Sequence, residues 1–419
     1  MIGEVIAIGD ELTSGRILNS TSTFAAHHLF AKGHELVAMA TVGDSPESIG
    51  ATLLKALARA DFIIVTGGLG ATSDDLTNEA VASALGRPAT FHPEILAKIE
   101  QYLAEHNGGS LALPAVGNLE KLAWLPAGAE VLKPEARMAG YLLVHDEKPI
   151  FFLPGVPHEM KELLVDCVIP RLAAWKGQQA RQVRQLVYKV FGLAETEINR
   201  RLRHLENDNS LIRIGYYPSY PEVHVSLTAL GADREEVEGL AKLFDAKIKE
   251  ALAEHIYGFE NDTIEAIVGE LLLAHNQTLA VAESCSGGLI AHRLTRVAGS
   301  SAYFLGGVVA YTNAVKERLL GVGGEIIRRY GAVSSQTASA MASGIREVTG
   351  ADLGISVTGI AGPGGGSPAK PVGMVYIGLA AVSGTRTHLF QFGGDREQVQ
   401  AMTAQMALDL VRRRLQGIE

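Results

Sequence analysis

Ser284 and Cys285 stand side by side in Glu283-Ser284-Cys285-Ser286-Gly287-Gly288, after the apolar run 278–282 and ahead of a helix-like stretch that begins near Leu289. A strand that breaks at small hydroxyl residues and glycines before entering a helix holds a side chain at the strand's end, facing the free backbone amides of the helix's first turn. Such a join can hold a nucleophile beside an anion-stabilising site; it also occurs as a plain tight turn that needs small residues for steric reasons. Two nucleophiles compete here. A serine needs a neighbouring base, whereas a thiol at a helix N-terminus is itself activated. His292, one or two turns into the helix, is the histidine a Cys–His pair would need, and it reads as structural.

Two later joins have the same form. Gly306–Ala310 runs into Tyr311-Thr312-Asn313-Ala314-Val315-Lys316. With Asn313 as cap, Lys316 falls in a helix's first turn, where the dipole disfavours a cation and depresses its pKa; a partly buried lysine so placed accepts a proton near neutral pH. An ordinary surface lysine is the alternative. The third join is Leu353–Thr358 running into Gly359-Ile360-Ala361-Gly362-Pro363-Gly364-Gly365-Gly366, whose glycines can turn several amides toward a phosphate or an oxyanion. Its 364–366 part also reads as a surface loop. Gly331-Ala332-Val333-Ser334 offers another hydroxyl before a helix. Asp395-Arg396-Glu397-Gln398 starts the final helix, with Val399, Met402, Met406 and Leu410 on its packing side; Arg396 could reach a phosphate from there, though a solvated arginine is the commoner outcome.

The N-terminal third carries a second constellation. One strand runs into Gly9-Asp10-Glu11 and another into Thr66-Gly67-Gly68-Leu69-Gly70-Ala71-Thr72-Ser73-Asp74-Asp75. Glycines there let backbone N–H groups approach a phosphate, and the carboxylates Asp10, Asp74 and Asp75 can hold a divalent cation that neutralises it, a pairing suited to a diphosphate. No Gly-Lys-Ser/Thr follows, so it is not a P-loop, and the dinucleotide Gly-x-Gly-x-x-Gly spacing is absent. Farther on, Pro154-Gly155-Val156-Pro157-His158-Glu159-Met160 follows a strand ending at Leu153, with Glu159 in a helix's first turn as a site contribution or a dipole partner.

The elements that must position these residues alternate. Ile2–Ile8, 35–41 and 61–66 read as strands, 20–31 as a helix, and Ser45-Pro46 as N-cap and first-turn proline of a helix to about Arg59. Such β-α-β-α-β order implies a parallel sheet with helices on both faces and ligands beyond the strands' carboxyl ends. Between about 171 and 258, strands at 181–192 and 222–231 and helices at 195–205 and 234–255 make a small α+β module. Its Tyr216-Tyr217-Pro218-Ser219-Tyr220-Pro221 stretch reads as an aromatic loop, for stacking on a base or, the stronger reading, for packing between domains. From 259 on, Asp262 and Glu265 form a capping-box pattern ahead of an α/β domain.

Composition sets limits. The chain has 419 residues, enough for roughly two to four domains. With 47% hydrophobic and 20% charged residues it is globular, and a net charge of −9 disfavours a broad hold on nucleic acid. Two cysteines, Cys167 and Cys285, support neither a disulfide framework nor zinc spacing. No apolar run reaches the about 18 residues of a membrane span, and the N-terminus lacks a signal-peptide pattern, so a cytoplasmic location is expected.

Taken in order, Gly9-Asp10-Glu11, Thr66-Gly-Gly-Leu-Gly-x-Thr-x-Asp74-Asp75 and Leu153-Pro-Gly-Val-Pro-x-Glu159-Met160 resemble the molybdopterin-binding-like N-terminal domain of the CinA family. Glu283-Ser-Cys-x-Gly-Gly, Ala298-Gly-Ser-Ser-x-x-Phe, Tyr311-x-Asn313-x-x-Lys316, Gly331-Ala-Val-Ser334, Thr358-Gly-Ile-Ala-Gly-Pro, Lys370-Pro-Val-Gly373 and Gly394-Asp-Arg396 resemble that family's C-terminal domain. The resemblance implies three domains: residues 1–170, a three-layer parallel-sheet domain of the ADP-ribose pyrophosphatase type; 171–258, a linking α+β domain; and 259–419, an α/β domain similar to nicotinamide-nucleotide amidase.

For the last domain the resemblance implies hydrolysis of nicotinamide mononucleotide (NMN) to nicotinate mononucleotide and ammonia, with no cofactor. Ser284 is then the nucleophile, Lys316 its base and Thr358 a supporting hydroxyl, with Cys285, Ser286, Gly287, Tyr311, Asn313, Ser334, Gly359 and Arg396 binding substrate. For the first domain it implies ADP-ribose as ligand, held by Gly9, Asp10, Glu11, Thr66, Gly67, Gly68, Leu69, Gly70, Asp74, Asp75, Pro154, Gly155 and Glu159. A divalent metal, Mg or Co with K as an optional companion, would sit on Asp10, Asp74 and Asp75. Two departures stand out: Ala71 where the family has Pro, and 134–140 where it has a Gly-Thr-Ala-Pro-Gly-like loop. A homodimer is expected. The alternatives are an N-terminal domain that binds a nucleotide or molybdopterin without catalysis, and a partner of competence or recombination proteins.

Overall fold

The computed structural model describes residues 1–106, 119–133, 140–175 and 181–418. The chain forms two compact units, one of Met1–Gln185 with Ala229–Leu240, the other of Leu186–Thr228 with Ala241 onwards. No helix among the described residues is long and apolar enough to cross a membrane.

In chain order the first part contains β1 (Ile2–Ile8), α1 (Asp10–Thr13), α2 (Ser20–Phe30), β2 (Glu35–Val42), α3 (Pro46–Arg59), β3 (Phe62–Thr66), α4 (Thr77–Ala84), β4 (Ala89–Phe91) and α5 (Pro93–His106). It continues with β5 (Trp124–Pro126), β6 (Glu130–Val131), β7 (Tyr141–His145), β8 (Lys148–Leu153), α6 (Pro157–Leu163) and α7 (Ile169–Ala174). The main sheet has the order β2-β1-β3-β8-β7-β6. Residues 62–66 of β3 are all buried, as a central parallel strand covered on both faces requires. Ser45 caps α3 and Pro46 opens it, as the sequence predicts. The sheet departs from an all-parallel one: β7 pairs antiparallel with β8, and β6 antiparallel with β7. The cause is local, because Asp146 and Glu147 both have positive φ (47° and 63°), the two-residue hairpin geometry that returns the chain beside itself.

The middle stretch contains β9 (Gln182–Val190), α8 (Glu195–Glu206), β10 (Ile212–Ser219), β11 (Glu222–Gly231), α9 (Arg234–Leu252) and β12 (Ile256–Phe259), with sheet order β10-β11-β9-β12. The expected aromatic loop is mostly strand, since β10 runs through Tyr216, Tyr217 and Pro218. As an edge strand it tolerates the proline.

The last part comprises α10 (Ile264–Ala274), β13 (Leu279–Glu283), α11 (Leu289–Thr295), β14 (Phe304–Val309), α12 (Asn313–Leu320), α13 (Gly324–Tyr330), α14 (Ser335–Thr349), β15 (Leu353–Gly359), β16 (Met374–Ala381), β17 (Gly384–Gln391) and α15 (Arg396–Gln416). Its sheet has the order β14-β13-β15-β16-β17, parallel across β14-β13-β15 and antiparallel beyond. Thr263 caps α10, so the capping box expected at Asp262 and Glu265 does not form. Asp262 instead accepts from Phe259 N, and Glu265 pairs with Arg293.

The N-terminal six-stranded sheet and the C-terminal five-stranded sheet each have a point where the strand order reverses. From β13 the chain crosses to β14 on one side and then to β15 on the other; from β1 it crosses to β2 and then to β3. At such a point neighbouring connections diverge and leave a crevice beyond the strands' carboxyl ends. Ser284 follows β13 and Thr358 lies at the end of β15, while Gly9-Asp10 follows β1 and Gly67-Gly68 follows β3.

Candidate active site

A pocket of about 260 Å³ opens at the β13/β15 reversal, lined by Ser284, Lys316, Tyr311, Thr358, the loop from Gly359 and Arg396. Lys316, the fourth residue of α12, is 1% exposed. Its Nζ lies 3.1 Å from Ser284 Oγ, within hydrogen-bond reach, and donates to Ala310 O at 2.5 Å and to Tyr311 O at 3.4 Å. None of these partners is a carboxylate. Burial therefore pushes Lys316 below its ordinary pKa of 10.5, against a smaller opposing pull from Cys285. A neutral amine has two hydrogens and one lone pair. The two carbonyls take the hydrogens, and the lone pair is left for the Ser284 hydroxyl, the arrangement a general base needs. The cap of α12 is Thr312, whose side chain accepts from Val315 N, and not Asn313.

Glu283 changes the reading of the join. Its carboxylate, 1% exposed, accepts from Ser286 Oγ at 2.7 Å and from the amides of Gly288, Ile290 and Ala291 at 3.0, 3.1 and 2.8 Å. The amides at the start of α11 that the sequence leaves free are thus engaged, and the charge at that end is met by an anion. Cys285 does not gain from the helix. It lines the pocket beside Ser284 yet packs in the core with Val281 and Ile290, and burial, opposed by backbone N–H groups and aided by the Glu283 charge, pushes its thiol up to about 12. An exposed His292 on α11 does not line the pocket. Geometry therefore favours Ser284 over Cys285.

The remaining expected residues divide. Thr358, 1% exposed, donates to Ala332 O at 2.7 Å and so fixes the wall formed by Ala332 and Val333. Gly359 lines the pocket where a Cβ would lie 2.7 Å from Met374 O. Arg396 spans the pocket: Nη1 donates to Gly362 O at 2.7 Å and Nη2 to Tyr311 Oη at 3.2 Å. Four others do not line it. Ser286 is turned to Glu283; Gly287 occupies a left-handed turn (φ 67°); Asn313 is exposed; and Ser334 caps α14 by accepting from Thr337 N.

At the β1/β3 reversal, Gly67 has φ 99°, and a Cβ there would meet Ile8 O at 2.3 Å. Thr66 is buried, and Thr77 Oγ1 donates to Gly67 O at 3.0 Å. A Cβ on Gly155 would sit 3.3 Å from Gly67 Cα, so the segment after Pro154 lies against the Gly67-Gly68 turn. Leu69 packs on the core, and Glu159 in α6 has a buried Oε2 with no hydrogen-bond partner. Asp10 and Asp44 exchange bonds, Asp10 N to Asp44 Oδ2 at 2.9 Å and Asp44 N to Asp10 Oδ1 at 3.2 Å. Burial raises the Asp44 pKa, and the charges of Asp10, Glu11 and Asp74 add to the rise. Asp75 is turned inward, accepting from Thr72 N at 2.9 Å and from the Thr72 hydroxyl. Among the described residues no three carboxylate, imidazole or thiol groups are grouped as a ready-made metal site. The stretch 134–139, where the family's loop differs, lies outside the described residues.

Comparison with known proteins accounts for nearly the whole chain. Residues 261–415 match the CinA C-terminal domain, 4–174 the probable molybdopterin binding domain and 185–258 the damage-inducible protein CinA KH domain. A CinA-like protein of Desulfotalea psychrophila is 52% identical over 415 residues, 98% of each chain. A putative competence-damage inducible protein of Moorella thermoacetica is 40% identical over 419 residues, 100% of this chain and 99% of that one. The chain belongs to the CinA family. In this CinA chain the motifs led to Ser284, Lys316, Thr358, Tyr311 and Arg396, and they missed residues that support these. Gln400 donates to Cys285 O at 2.9 Å, holding the turn beside Ser284. Lys370, inside the Lys370-Pro-Val-Gly373 motif but given no site role by it, donates to Tyr330 O at 2.9 Å and Val333 O at 2.7 Å and holds the pocket wall. Asp44 had a signal in Gly43-Asp44, a glycine–carboxylate pair after β2 like Gly9-Asp10 after β1.

Proposed function

We propose that the C-terminal site is a serine amidase that hydrolyses NMN to nicotinate mononucleotide and ammonia. The observation that carries this reading is Lys316, buried without a counterion and in contact with Ser284 Oγ. Neutral Lys316 takes the Ser284 proton as Oγ attacks the carboxamide carbon. Lys316 returns that proton to the departing nitrogen, ammonia leaves, and an ester to Ser284 remains. Water then attacks the ester, giving its proton through Lys316 back to Ser284 Oγ, and the carboxylate product is released. The oxyanion falls to backbone amides outside the start of α11, since Glu283 holds those. Val333, Ile360 and Ala361 offer apolar wall to the pyridine ring, and Arg396 a cation to the phosphate.

Ammonia release from NMN by wild type, Ser284→Ala and Cys285→Ala, with chelator present, tests this. Release that survives chelator and Cys285→Ala and vanishes in Ser284→Ala is the expected result. No release from the wild type removes the reading.

For the N-terminal domain we propose ADP-ribose, its diphosphate lying at the Gly67–Gly70 turn, with pyrophosphatase activity dependent on Mg or Co; AMP release on adding the metal separates an enzyme from a binding module. The reading is of a cytoplasmic homodimer. Residues 185–258 contain no Gly-x-x-Gly, the loop with which KH modules clamp a nucleic-acid backbone, and the chain is acidic, which favours nucleotides over DNA as ligands.

A further inference from the structure

The final helix, α15, contacts other elements through four residues along its first three turns, Arg396, Gln398, Gln400 and Gln405. Arg396 spans the pocket, and Gln400, one turn on and on the same side, grips Cys285 O beside the nucleophile. Between them, Gln398 closes a reciprocal cap with Asp395: Gln398 N donates to Asp395 Oδ1 and Asp395 N to Gln398 Oε1, each at 2.9 Å. The carbonyl of Gln398 accepts the hydroxyl of Tyr220 at 2.8 Å, from the connection between β10 and β11 of the middle module. The next residue but one, Glu222, accepts from Gln405 Nε2 of α15 at 3.1 Å and from the Tyr257 hydroxyl at 2.5 Å. Gln405 Oε1 in turn accepts from Arg293 of α11 at 2.8 Å. One hairpin end thus holds α15 at two places, and the earlier lies in the turn that presents Arg396. Burial raises the Tyr220 pKa, and the charge of Asp395 adds to the rise, in keeping with that closeness.

We propose that the middle module is a working part of the amidase, with Tyr220 as a positioning residue that fixes Arg396 for the substrate phosphate through the first turn of α15. Tyr220 touches neither substrate nor the reacting atoms; it acts on substrate capture and leaves the Ser284–Lys316 pair as it is. The inference rests on the NMN reading for its kinetic arm and stands apart from it in its structural arm.

The test is Tyr220→Phe in the full chain, which removes one hydroxyl and keeps the ring. NMN turnover should show KM raised about three- to tenfold, the range a single hydrogen bond commands, with kcat unchanged. Competitive inhibition by inorganic phosphate should weaken by the same factor, and Arg396→Ala should abolish both effects of Tyr220→Phe in the double variant. Hydrogen exchange of the amides at 396–400 should quicken while the melting temperature holds. KM and phosphate inhibition equal to wild type, or a loss confined to kcat, overturns the proposal. A wild type that releases no ammonia from NMN defeats the functional reading alone. Exchange at 396–400 then decides, and rates equal to wild type overturn the coupling.

Discussion

Lys316→Met offers the sharpest test of the base, because one proton should govern two unrelated measurements. The substitution keeps an unbranched chain of similar length and removes the amine from a residue that is 1% exposed. Turnover of NMN should fall about 10²–10⁴-fold, the share of a positioned general base. Stability carries the second signal. Burial sets the native pKa of Lys316 below 10.5, so between that pKa and 10.5 the unfolded chain binds more proton than the native one. In that window wild-type stability rises with pH, by up to about 1.4 kcal/mol per pH unit; below the native pKa the buried charge imposes its full cost. Methionine binds no proton, so the wild-type minus variant difference, from urea unfolding at several pH values, isolates this slope. It should climb with pH over the range in which wild-type kcat/KM climbs. The constant cost of leaving Ala310 O without its donor, about 1–3 kcal/mol, shifts the difference without tilting it. A difference flat from pH 6 to 10, or one that falls as kcat/KM rises, would refute the neutral-lysine mechanism.

Three further outcomes are expected. Glu283→Gln trades a carboxylate holding three amides and a hydroxyl for an amide that cannot accept from all of them; urea unfolding should show a loss of at least about 2 kcal/mol, with kcat reduced as the Ser284 turn loosens. Gly344→Ala puts a Cβ 1.9 Å from Leu320 O at the end of the helix that carries Lys316; stability should fall by about 1–3 kcal/mol, and kcat should fall more than KM rises. Asp44→Asn removes the repulsion that Asp10, Glu11 and Asp74 exert on Asp44, while an amide oxygen still accepts from Asp10 N. The melting temperature without metal should rise, and any increase that Mg gives the wild type should shrink in the variant.

What could be read from the sequence was whatever is encoded locally. Ser45-Pro46, the apolar run 62–65 of β3 and the join at Glu283–Gly288 each announce themselves within a few residues, and the order of strands and helices then places two crevices. The errors of capping are one-residue slips, Thr312 for Asn313 and Thr263 for Asp262, between neighbours that are equally good caps by type. The serious omissions are contacts between distant segments. Gln400 and Cys285 are 115 residues apart, and Tyr220 and Gln398 are 178 apart, and nothing in the type of a glutamine or a tyrosine points to a carbonyl so far along the chain. Glu283 is a different failure. It was in view, but whether a carboxylate at a strand's end reaches a ligand or its own helix depends on backbone direction, which spacing does not fix.

That choice by Glu283 decides which chemistry the join can run. With the start of α11 left open, the dipole would lower the Cys285 pKa and make a thiolate the obvious nucleophile. With the carboxylate bound there, the thiol is driven up instead, and in the proposed reaction activation comes from Lys316 across the crevice. In the proposed reaction the burial of Lys316 then works in both directions. It lowers the cost of the neutral amine relative to the cation, so that the amine can take the Ser284 proton. Once protonated, the same side chain is a cation facing only two carbonyls, and the cost of that charge drives the proton on to the leaving nitrogen. A carboxylate added beside Lys316 would relieve that cost and hold the proton in place, so a counterion in this pocket should slow the second step as surely as loss of the amine abolishes the first.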